Sequence, residues 1–293
     1  MAKKRVGNTA SGAAMCRLIE QYQPKATRLF DDPLVKDLLP VPARMLMKFA
    51  SLRKFMITAF LPGIYGAQIC RTRSIDDAVL TVISRGIEQV VILGAGLDTR
   101  AYRLAGMNYV QVYEVDLLSV QEAKKKRLRQ HFGSLPGHVT FVPIDFDTQS
   151  LEAVLTGTTF TPSSPAVFVW EGVTQYLTEE TVRKTLTFVG TAAPGSILVF
   201  TYVLRSVVEH RSNLPGAKKL VDGMAKRGAP WLFGLEPAAV GDFLQPFHLH
   251  LTADVGNADY QARYLQPLGR SLQVSEMERV AQAMGQRSCW LIF

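Results

Sequence analysis

Cysteine is scarce in this chain, with three among 293 residues, at positions 16, 70 and 289, and no CxxC pair. Widely separated single cysteines disfavour both a zinc site and a disulfide framework. They favour a reducing compartment, so we expect a cytoplasmic protein.

Long hydrophobic runs are also lacking. The most apolar stretch, FMITAFLPGIY, runs from Phe55 to Tyr65; it is too short to span a bilayer and contains a proline and a glycine. The N-terminal MAKKR is basic, but the residues after it are too polar for the apolar core of a signal peptide. We therefore predict no membrane span.

Acidic residues are fewer than basic ones, which gives a net charge of +8. Such charge can attract nucleic acid, acidic substrates or membrane surfaces and does not choose among them. The densest basic run, Lys124–Arg127, has no interleaved aromatic residues, so we interpret it as a solvated helix face and predict no nucleic-acid partner. His248 and His250 share a face of a predicted strand without a third ligand nearby, so no metal site is predicted.

The first 85 residues indicate interrupted helices. We predict a helix over Thr9–Glu20, a short one after Pro33, and helical character over Met45–Phe60. SIDDAVLTVISR predicts a helix over Ser74–Arg85, with the serine as N-cap.

From residue 89 strands alternate with helices, which predicts an α/β protein with a parallel sheet. The predicted strands are Val90–Leu93, Tyr109–Val115, Val139–Ile144, Ala166–Trp170 and Ser196–Tyr202, separated by helices over Ser119–Phe132, Leu151–Leu155 and Glu179–Ala193. Helices over Arg205–Gly228 and Glu236–Leu244 follow, and then a final antiparallel pair over Phe247–Val255 and Gln286–Phe293. We expect a helical cap (residues 1–85), a catalytic domain (86–293) and a lid segment (about 204–235).

A glycine turn follows the first strand at Gly94, Ala95 and Gly96. The dinucleotide pattern GxGxxG would need glycine at position 99, where this chain has Thr99, so a pyrophosphate fits poorly. Asp116 ends the next strand, where an acid can accept hydrogen bonds from ribose hydroxyls. A ligand with a ribose but no pyrophosphate satisfies both features, and S-adenosylmethionine is the common one.

Further polar residues follow later strands. Asp145 and Phe146 follow the third strand and could contact an adenine ring, and Glu171 follows the fourth. Each acid alone could equally be a helix N-cap or a loop acid. Their shared position at the carboxyl ends of parallel strands, where open α/β sheets bind ligands, favours a site.

Six segments together resemble the leucine carboxyl methyltransferase family, in particular its bacterial S-adenosylmethionine-dependent branch. They lie in the family order within residues 25–285 and read LFDDPLVKDLLP, RTRSIDDAVL, VVILGAGLDTRAYRL, YEVDLLSVQEAKKKRL, FVPIDF and FVWEGVTQYLTEETV. The resemblance implies a class I methyltransferase Rossmann-like fold, in which a seven-stranded mixed sheet carries a helical N-terminal cap and a lid insertion. It also implies S-adenosyl-L-methionine as cofactor.

The resemblance also implies roles for single residues. Arg71, with Arg73 as a neighbouring candidate, would pair with the methionine carboxylate. Cofactor-binding positions would be Arg71, Gly94, Ala95, Gly96, Asp116, Leu117, Asp145, Phe146 and Glu171, with Glu171 and Tyr176 as the catalytic positions. The chain departs from the family at Trp170, Thr174 and Gln175, where we expect acceptor specificity to be set.

These features predict an O-methyltransferase that acts on a carboxylate of a small molecule. A carboxylate is ionised at neutral pH and needs no general base, whereas an alcohol or phenol does. No histidine directly follows a strand of the predicted site, which favours a carboxylate acceptor. If a general base is used, His210 in the predicted lid segment is the best candidate. Methylation of a polyketide-like hydroxyl, methylation of a protein C-terminus, and a catalytically silent binding protein remain alternatives; Thr99 and Asp145 disfavour a nicotinamide-dependent oxidoreductase. Met45–Phe60 and Arg205–Trp231 are expected to close over the cofactor and form an apolar acceptor pocket.

Overall fold

A seven-stranded sheet organises the chain, as seen in a computed structural model that describes residues 10–60 and 63–285. Its strands are β1 (Gln89–Leu93), β2 (Gln111–Asp116), β3 (Val139–Pro143), β4 (Ala166–Trp170), β5 (Ile197–Val203), β6 (Leu249–Val255) and β7 (Glu278–Gly285). The strand order is β3-β2-β1-β4-β5-β7-β6, and β7 alone runs antiparallel to its neighbours. The mixed sheet with helices on both faces confirms the predicted class I methyltransferase fold.

Helices cover both faces of the sheet. They are α1 (Ala10–Glu20), α2 (Val35–Leu38), α3 (Val41–Leu46), α4 (Ala50–Phe55), α5 (Ile64–Ile83), α6 (Arg100–Arg103), α7 (Leu118–Phe132), α8 (Leu151–Thr156), α9 (Glu179–Gly190), α10 (Arg205–Val208), α11 (Ala217–Lys226), α12 (Val240–Leu244) and α13 (Asn257–Tyr260). Alternate residues of β1 enter different cores: Val90 and Ile92 pack with α1 and α5, whereas Val91 and Leu93 pack with α8 and α9. Burial on both faces explains the continuous apolar runs of the central strands.

The sequence predicted a last strand over Gln286–Phe293; within the described residues, the partner of β6 is Glu278–Gly285. Residues 286–293 lie outside the described ranges. β7 pairs with β5 and β6 and buries Val280, Ala281 and Ala283. Alanines and a glycine give a weak strand signal, so the register is set by packing between two neighbouring strands. The predicted strand over Phe247–Val255 begins at Leu249, because His248 adopts a left-handed conformation with φ of +57°.

The predicted start of a helix at Ser74 was wrong, because α5 begins ten residues earlier and Ser74 is buried within it. Gly66, a residue of low helix propensity, lies in the first turn of α5. The reason for this glycine is tertiary: a Cβ there would lie 2.2 Å from the carbonyl oxygen of Gln273. Close approach of two backbone segments therefore outweighs helix propensity.

Two long predicted helices are interrupted in the structure. Met45–Phe60 contains the end of α3, a turn, α4 and a π-helical turn over Met56–Phe60. Arg205–Gly228 contains α10, an irregular stretch and α11. Gly216, with φ of +80°, precedes α11 and marks the second break.

The basic run Lys124–Arg127 is only partly solvated, so its interpretation as a solvated face was wrong for one member. Lys124 is 1% exposed, and its Nζ lies 2.7 Å from Oε2 of the equally buried Glu114. Lys126, two residues on, is exposed. The run therefore contains one buried cation with a structural role, which the sequence pattern alone does not distinguish from its solvated neighbours.

No helix in the described ranges is long and apolar enough to cross a bilayer.

Candidate functional site

All residues expected at the cofactor and catalytic positions line one cavity of about 880 Å³. It opens at the carboxyl ends of β1, β2 and β4, where the crossover connections change direction. The expected residues along its wall are Arg71, Gly94, Ala95, Gly96, Asp116, Leu117, Asp145, Phe146, Glu171 and Tyr176. The structure thus brings together residues that lie up to 105 positions apart, from 71 to 176.

The glycine turn is fixed to the neighbouring strand. The amides of Gly94 and Ala95 both donate to the carbonyl oxygen of Val115, at 2.7 and 3.1 Å. Gly94 has φ of +65°, and a Cβ there would lie 2.3 Å from Cγ2 of Val173. Only glycine satisfies both constraints, so bare backbone faces the cavity here.

Asp116 is held by two backbone amides. Gly96 donates to its Oδ2 and Leu117 donates to its Oδ1, both at 2.6 Å. Burial raises the pKa of Asp116, and these two amides act in the opposite direction. The carboxylate therefore has a fixed orientation at the cavity wall, although each oxygen retains further acceptor capacity.

Thr99 has a structural role that explains the missing third glycine. It is fully buried, and its hydroxyl donates to Oδ2 of Asp32 at 2.7 Å. Arg17 of α1 donates to the same oxygen at 3.0 Å. These bonds tie the segment after the glycine turn to the N-terminal helices.

Arg71 connects two acids of the cavity wall. Its Nε donates to Oε1 of Glu171 at 2.8 Å, and its Nη1 donates to Oε2 of Glu278 at 2.6 Å. Arg73 instead pairs with Asp77 and donates to a backbone carbonyl outside the cavity lining. Of the two candidate arginines, only Arg71 lines the cavity.

Arg100 belongs to the same charged cluster. It is 1% exposed and donates to Oε2 of Glu171, to Asp98 at 2.6 Å and to Asp76 at 2.7 Å. Burial acts to raise the pKa of Glu171, but Arg100 and Arg71 outweigh burial and hold this pKa well below its usual range. Glu171 is therefore an anion at neutral pH and a poor proton acceptor.

Four charged residues of this cluster were not predicted from the sequence, namely Asp76, Asp98, Arg100 and Glu278. Asp98 and Arg100 stand in LDTR directly after the glycine turn, so their position could have indicated them. Glu278 had no such signal, because it begins a strand that was assigned to later residues. Antiparallel insertion of β7 beside β5 brings it to Arg71.

The cavity lining also contains Asp145 and Phe146, just after β3. Oδ1 of Asp145 accepts a hydrogen bond from the amide of Asp147 at 3.2 Å, and its own amide donates to Gln149. Phe146 packs partly buried against the core. An acid and an aromatic ring thus share one wall, as expected for contact with a nucleobase.

The remaining lining is mostly apolar and comes from several elements. Tyr176, in a 3₁₀ turn after β4, is part of the cavity lining. Gln175 also lines the cavity. Its carbonyl oxygen accepts a hydrogen bond from the amide of Leu232 at 2.7 Å, which joins the turn after β4 to the stretch after α11. The apolar lining residues of this part include Met15, Met56, Ile64, Val203, Leu220, Met224, Trp231 and Met277.

Two expected specificity positions do not line the cavity. Trp170 is fully buried in the core between the sheet and helices α8 and α9, and its side chain fills space there and not in the cavity. Thr174 is fully buried and donates to the carbonyl oxygen of Thr201 at 2.7 Å. Gln175 alone of the three faces the cavity, because adjacent residues of a strand and its following turn point in different directions.

Other nucleophiles and bases are unsuited to the site. All five histidines lie in the described ranges, and none lines the cavity; His210 lies 3.9 Å from Asp222 instead. Burial raises the pKa of the Cys16 thiol to about 11, so this lining residue is protonated at neutral pH. Within residues 10–60 and 63–285, no group of three His, Cys, Asp or Glu side chains could hold a metal ion.

Solved structures share this architecture. The crystal structure of a "putative methyltransferase" from Thermobifida fusca has a TM-score of 0.59 at 16% identity, covering 87% of this chain and 94% of its own. A DUF574 family protein from Streptomyces avermitilis has a TM-score of 0.56 at 14% identity, covering 81% and 92%. At these identities the similarity establishes the fold alone.

Sequence comparisons identify the family. A protein of Parafrankia sp. named "Putative S-adenosyl-L-methionine-dependent methyltransferase" is 31% identical over 249 residues, covering 81% of this chain and 76% of the relative. A Streptomyces coelicolor protein of the same description is 30% identical, covering 77% and 81%. The family model described as leucine carboxyl methyltransferase matches residues 10–190, which contain every expected site residue. The chain therefore belongs to the leucine carboxyl methyltransferase family.

Proposed function

We propose that the protein uses S-adenosyl-L-methionine to methylate a carboxylate oxygen of an apolar small molecule. The observation that carries the choice of acceptor is a pair of cations in the cavity lining, at the end of the helix that also contributes Leu220 and Met224 to that lining. Lys226 and Arg227 line the cavity, are exposed, and have no ion pair within the described residues. Unpaired cations beside apolar lining suit an acceptor with an anionic group and an apolar body.

The residues present fit the cofactor. Asp116 offers a fixed carboxylate for ribose hydroxyls, and the bare turn at Gly94 leaves room for close approach. Arg71 supplies a cation for the methionine carboxylate. Oε1 of Glu278 is buried and has no hydrogen-bond partner among the described residues, so it suits the adjacent ammonium group.

When bound, S-adenosylmethionine supplies an electrophilic methyl group on a positively charged sulfur. The contribution of the chain is alignment and exclusion of water, because a carboxylate acceptor is ionised before it arrives. Glu171 holds Arg71 in place and remains an anion; it does not remove a proton. Tyr176 lines the cavity, where it would contact the acceptor.

We further propose that residues 1–85 form a cap and that residues 204–235 form a lid over the catalytic domain. Met56 and Ile64 of the first segment and Leu220 and Met224 of the second line the same cavity. Closure of these segments would remove water from the acceptor carboxylate and so raise its reactivity.

The test uses S-adenosylmethionine carrying an isotopically labelled methyl group. Purified protein is incubated with a panel of apolar carboxylic acids, the corresponding alcohols and phenols, and peptides with a free C-terminus. Base-labile methyl esters of the small acids are the expected products. Base-stable ethers would contradict the acceptor class, and esters formed only on peptides would indicate a protein substrate. Cofactor binding by calorimetry without product from any arm would favour a catalytically silent protein.

A further inference from the structure

The segment from Val41 to Phe55 has an unusual outer surface. It holds five of the eleven large hydrophobic side chains that are exposed in the described residues, and each of the five is between 51% and 61% exposed. Val41 and Met45 are four residues apart in α3, so they are neighbours on its surface. We name the group the basic apolar patch, and its hydrophobic members are Val41, Met45, Leu46, Phe49 and Phe55.

The exposed face belongs to a packed segment. Met47 is 3% exposed, and Leu52 and Met56 pack against the main hydrophobic core. Met56, directly after α4, also lines the cavity. The inner side of the segment therefore packs against the core beside the candidate site, whereas its outer side exposes large apolar side chains to solvent. The concentration of five of the eleven exposed large hydrophobic side chains of the described residues within Val41–Phe55 favours an interaction site.

The charges of the segment identify the kind of partner. No aspartate or glutamate occurs between Asp37 and Asp76. Arg44 pairs with Asp37, and Arg53 donates to backbone carbonyls and stacks on Tyr22. Lys48 and Lys54, the remaining cationic members of the basic apolar patch, are exposed and have no ion pair within residues 10–60 and 63–285.

We propose that the basic apolar patch docks the protein on an anionic lipid surface. Aromatic and aliphatic side chains beside unpaired lysines are the combination that binds the interface of an anionic bilayer. A second copy of this chain is a poor occupant, because the two facing surfaces would place like charges together. Docking by this segment would bring the cavity close to the bilayer, from which an apolar acceptor could be taken directly. The docking itself does not depend on the proposed acceptor.

The test is co-sedimentation of the purified full chain with phosphatidylcholine vesicles, with and without phosphatidylglycerol, at low and high ionic strength. We expect binding to the vesicles that contain phosphatidylglycerol, and weaker binding at high ionic strength. The double variant Lys48→Gln/Lys54→Gln should partition about thirtyfold less, from about 1 kcal/mol per lysine near an anionic surface. Phe49→Ser/Phe55→Ser should also lose binding.

Tyr109→Ser is the matched control, because Tyr109 is 85% exposed but lies outside the patch. It should bind as the unaltered chain does. The thermal unfolding midpoints of all variants serve as the check on folding. The proposal is overturned if the unaltered chain does not sediment with anionic vesicles at low ionic strength, or if both double variants bind normally, which would assign binding to other basic residues. A concentration-dependent dimer that Phe49→Ser/Phe55→Ser abolishes would identify a self-interface and also overturn it.

Discussion

Nε of Arg71 donates to Oε1 of Glu171 at 2.8 Å, which joins two residues 100 positions apart in the chain. Arg100 donates to the other oxygen of the same carboxylate, and Glu278 accepts from the other side of Arg71. Acids and arginines thus alternate along one wall of the cavity. Removing any one charge takes an ionic partner away from its buried neighbours, so the cluster links folding to the geometry of the site.

Glu171→Gln should lower the free energy of unfolding by about 3–5 kcal/mol, because it leaves two buried guanidinium groups facing a neutral amide. Urea unfolding followed by circular dichroism measures the change. Glu179→Gln is the matched control, since Glu179 is 47% exposed and pairs with Arg183 on a helix surface. That variant should change the free energy by less than about 0.5 kcal/mol. Equal effects of the two variants would contradict a buried charge cluster.

The same substitution should alter the dependence of stability on pH. The pKa of Glu171 in the folded protein lies below its unfolded value of 4.5, so its charge stabilises the fold above that pH. This contribution is lost as the pH falls from 4.5 towards the folded pKa. The difference in unfolding free energy between the unaltered chain and Glu171→Gln should therefore shrink with acidification. A difference that is constant from neutral pH into this acidic range would exclude the assigned ionisation.

Gly94→Ala should lower the free energy of unfolding by about 2–4 kcal/mol, because it combines a left-handed backbone with a Cβ clash against Val173. Cofactor affinity, measured by calorimetry, should fall more than about tenfold, since the turn must shift. Gly86→Ala separates the two causes, because Gly86 has φ of +89° but a Cβ there would meet nothing within 4 Å. Gly86→Ala should lower the free energy of unfolding only by the cost of the left-handed backbone, and its cofactor affinity should be unchanged.

Lys124→Ala should lower the free energy of unfolding by about 3–5 kcal/mol, because Glu114 would remain buried without its cation. The double variant Lys124→Met/Glu114→Leu removes both charges and should recover most of this loss. Lys126→Ala, on the exposed side of α7, should have little effect. Chemical unfolding of the four proteins gives the comparison. A double variant as unstable as the single one would mean that packing, and not charge, dominates at this position.

Lys226→Gln/Arg227→Gln should raise KM for the acceptor about tenfold with little change in kcat, because exposed cations attract the anion equally before and during transfer. Increasing ionic strength should raise KM of the unaltered chain and leave that of the double variant nearly constant. Lys218→Gln, on the same helix but outside the cavity lining, is the control. Unchanged KM in the double variant would contradict the proposed anionic acceptor.

Much of the fold, and many of the residues that line the cavity, followed from sequence because both are carried by local signals. Apolar runs marked the central strands, and Gly94, Asp116 and Asp145 each stand directly after such a run. Features set by distant packing were not predicted. Gly66 lies in the first turn of α5 because a Cβ there would meet the backbone of Gln273, a contact that the local sequence does not reveal. Trp170 packs in the core beneath α8 and α9, although it stands directly before Glu171 in the chain.

The insertion of β7 between β5 and β6 has a consequence for the order of events during synthesis. A ribosome delivers the chain from its N-terminus, so β6 emerges before the strand that separates it from β5. Until Glu278–Gly285 has been made, the gap in the sheet is unfilled and Arg71 lacks one of its two acidic partners. The nascent protein thus acquires the complete charged wall of the cavity only as its last described strand is inserted, and a chain truncated before that strand should bind S-adenosylmethionine more weakly than the full chain.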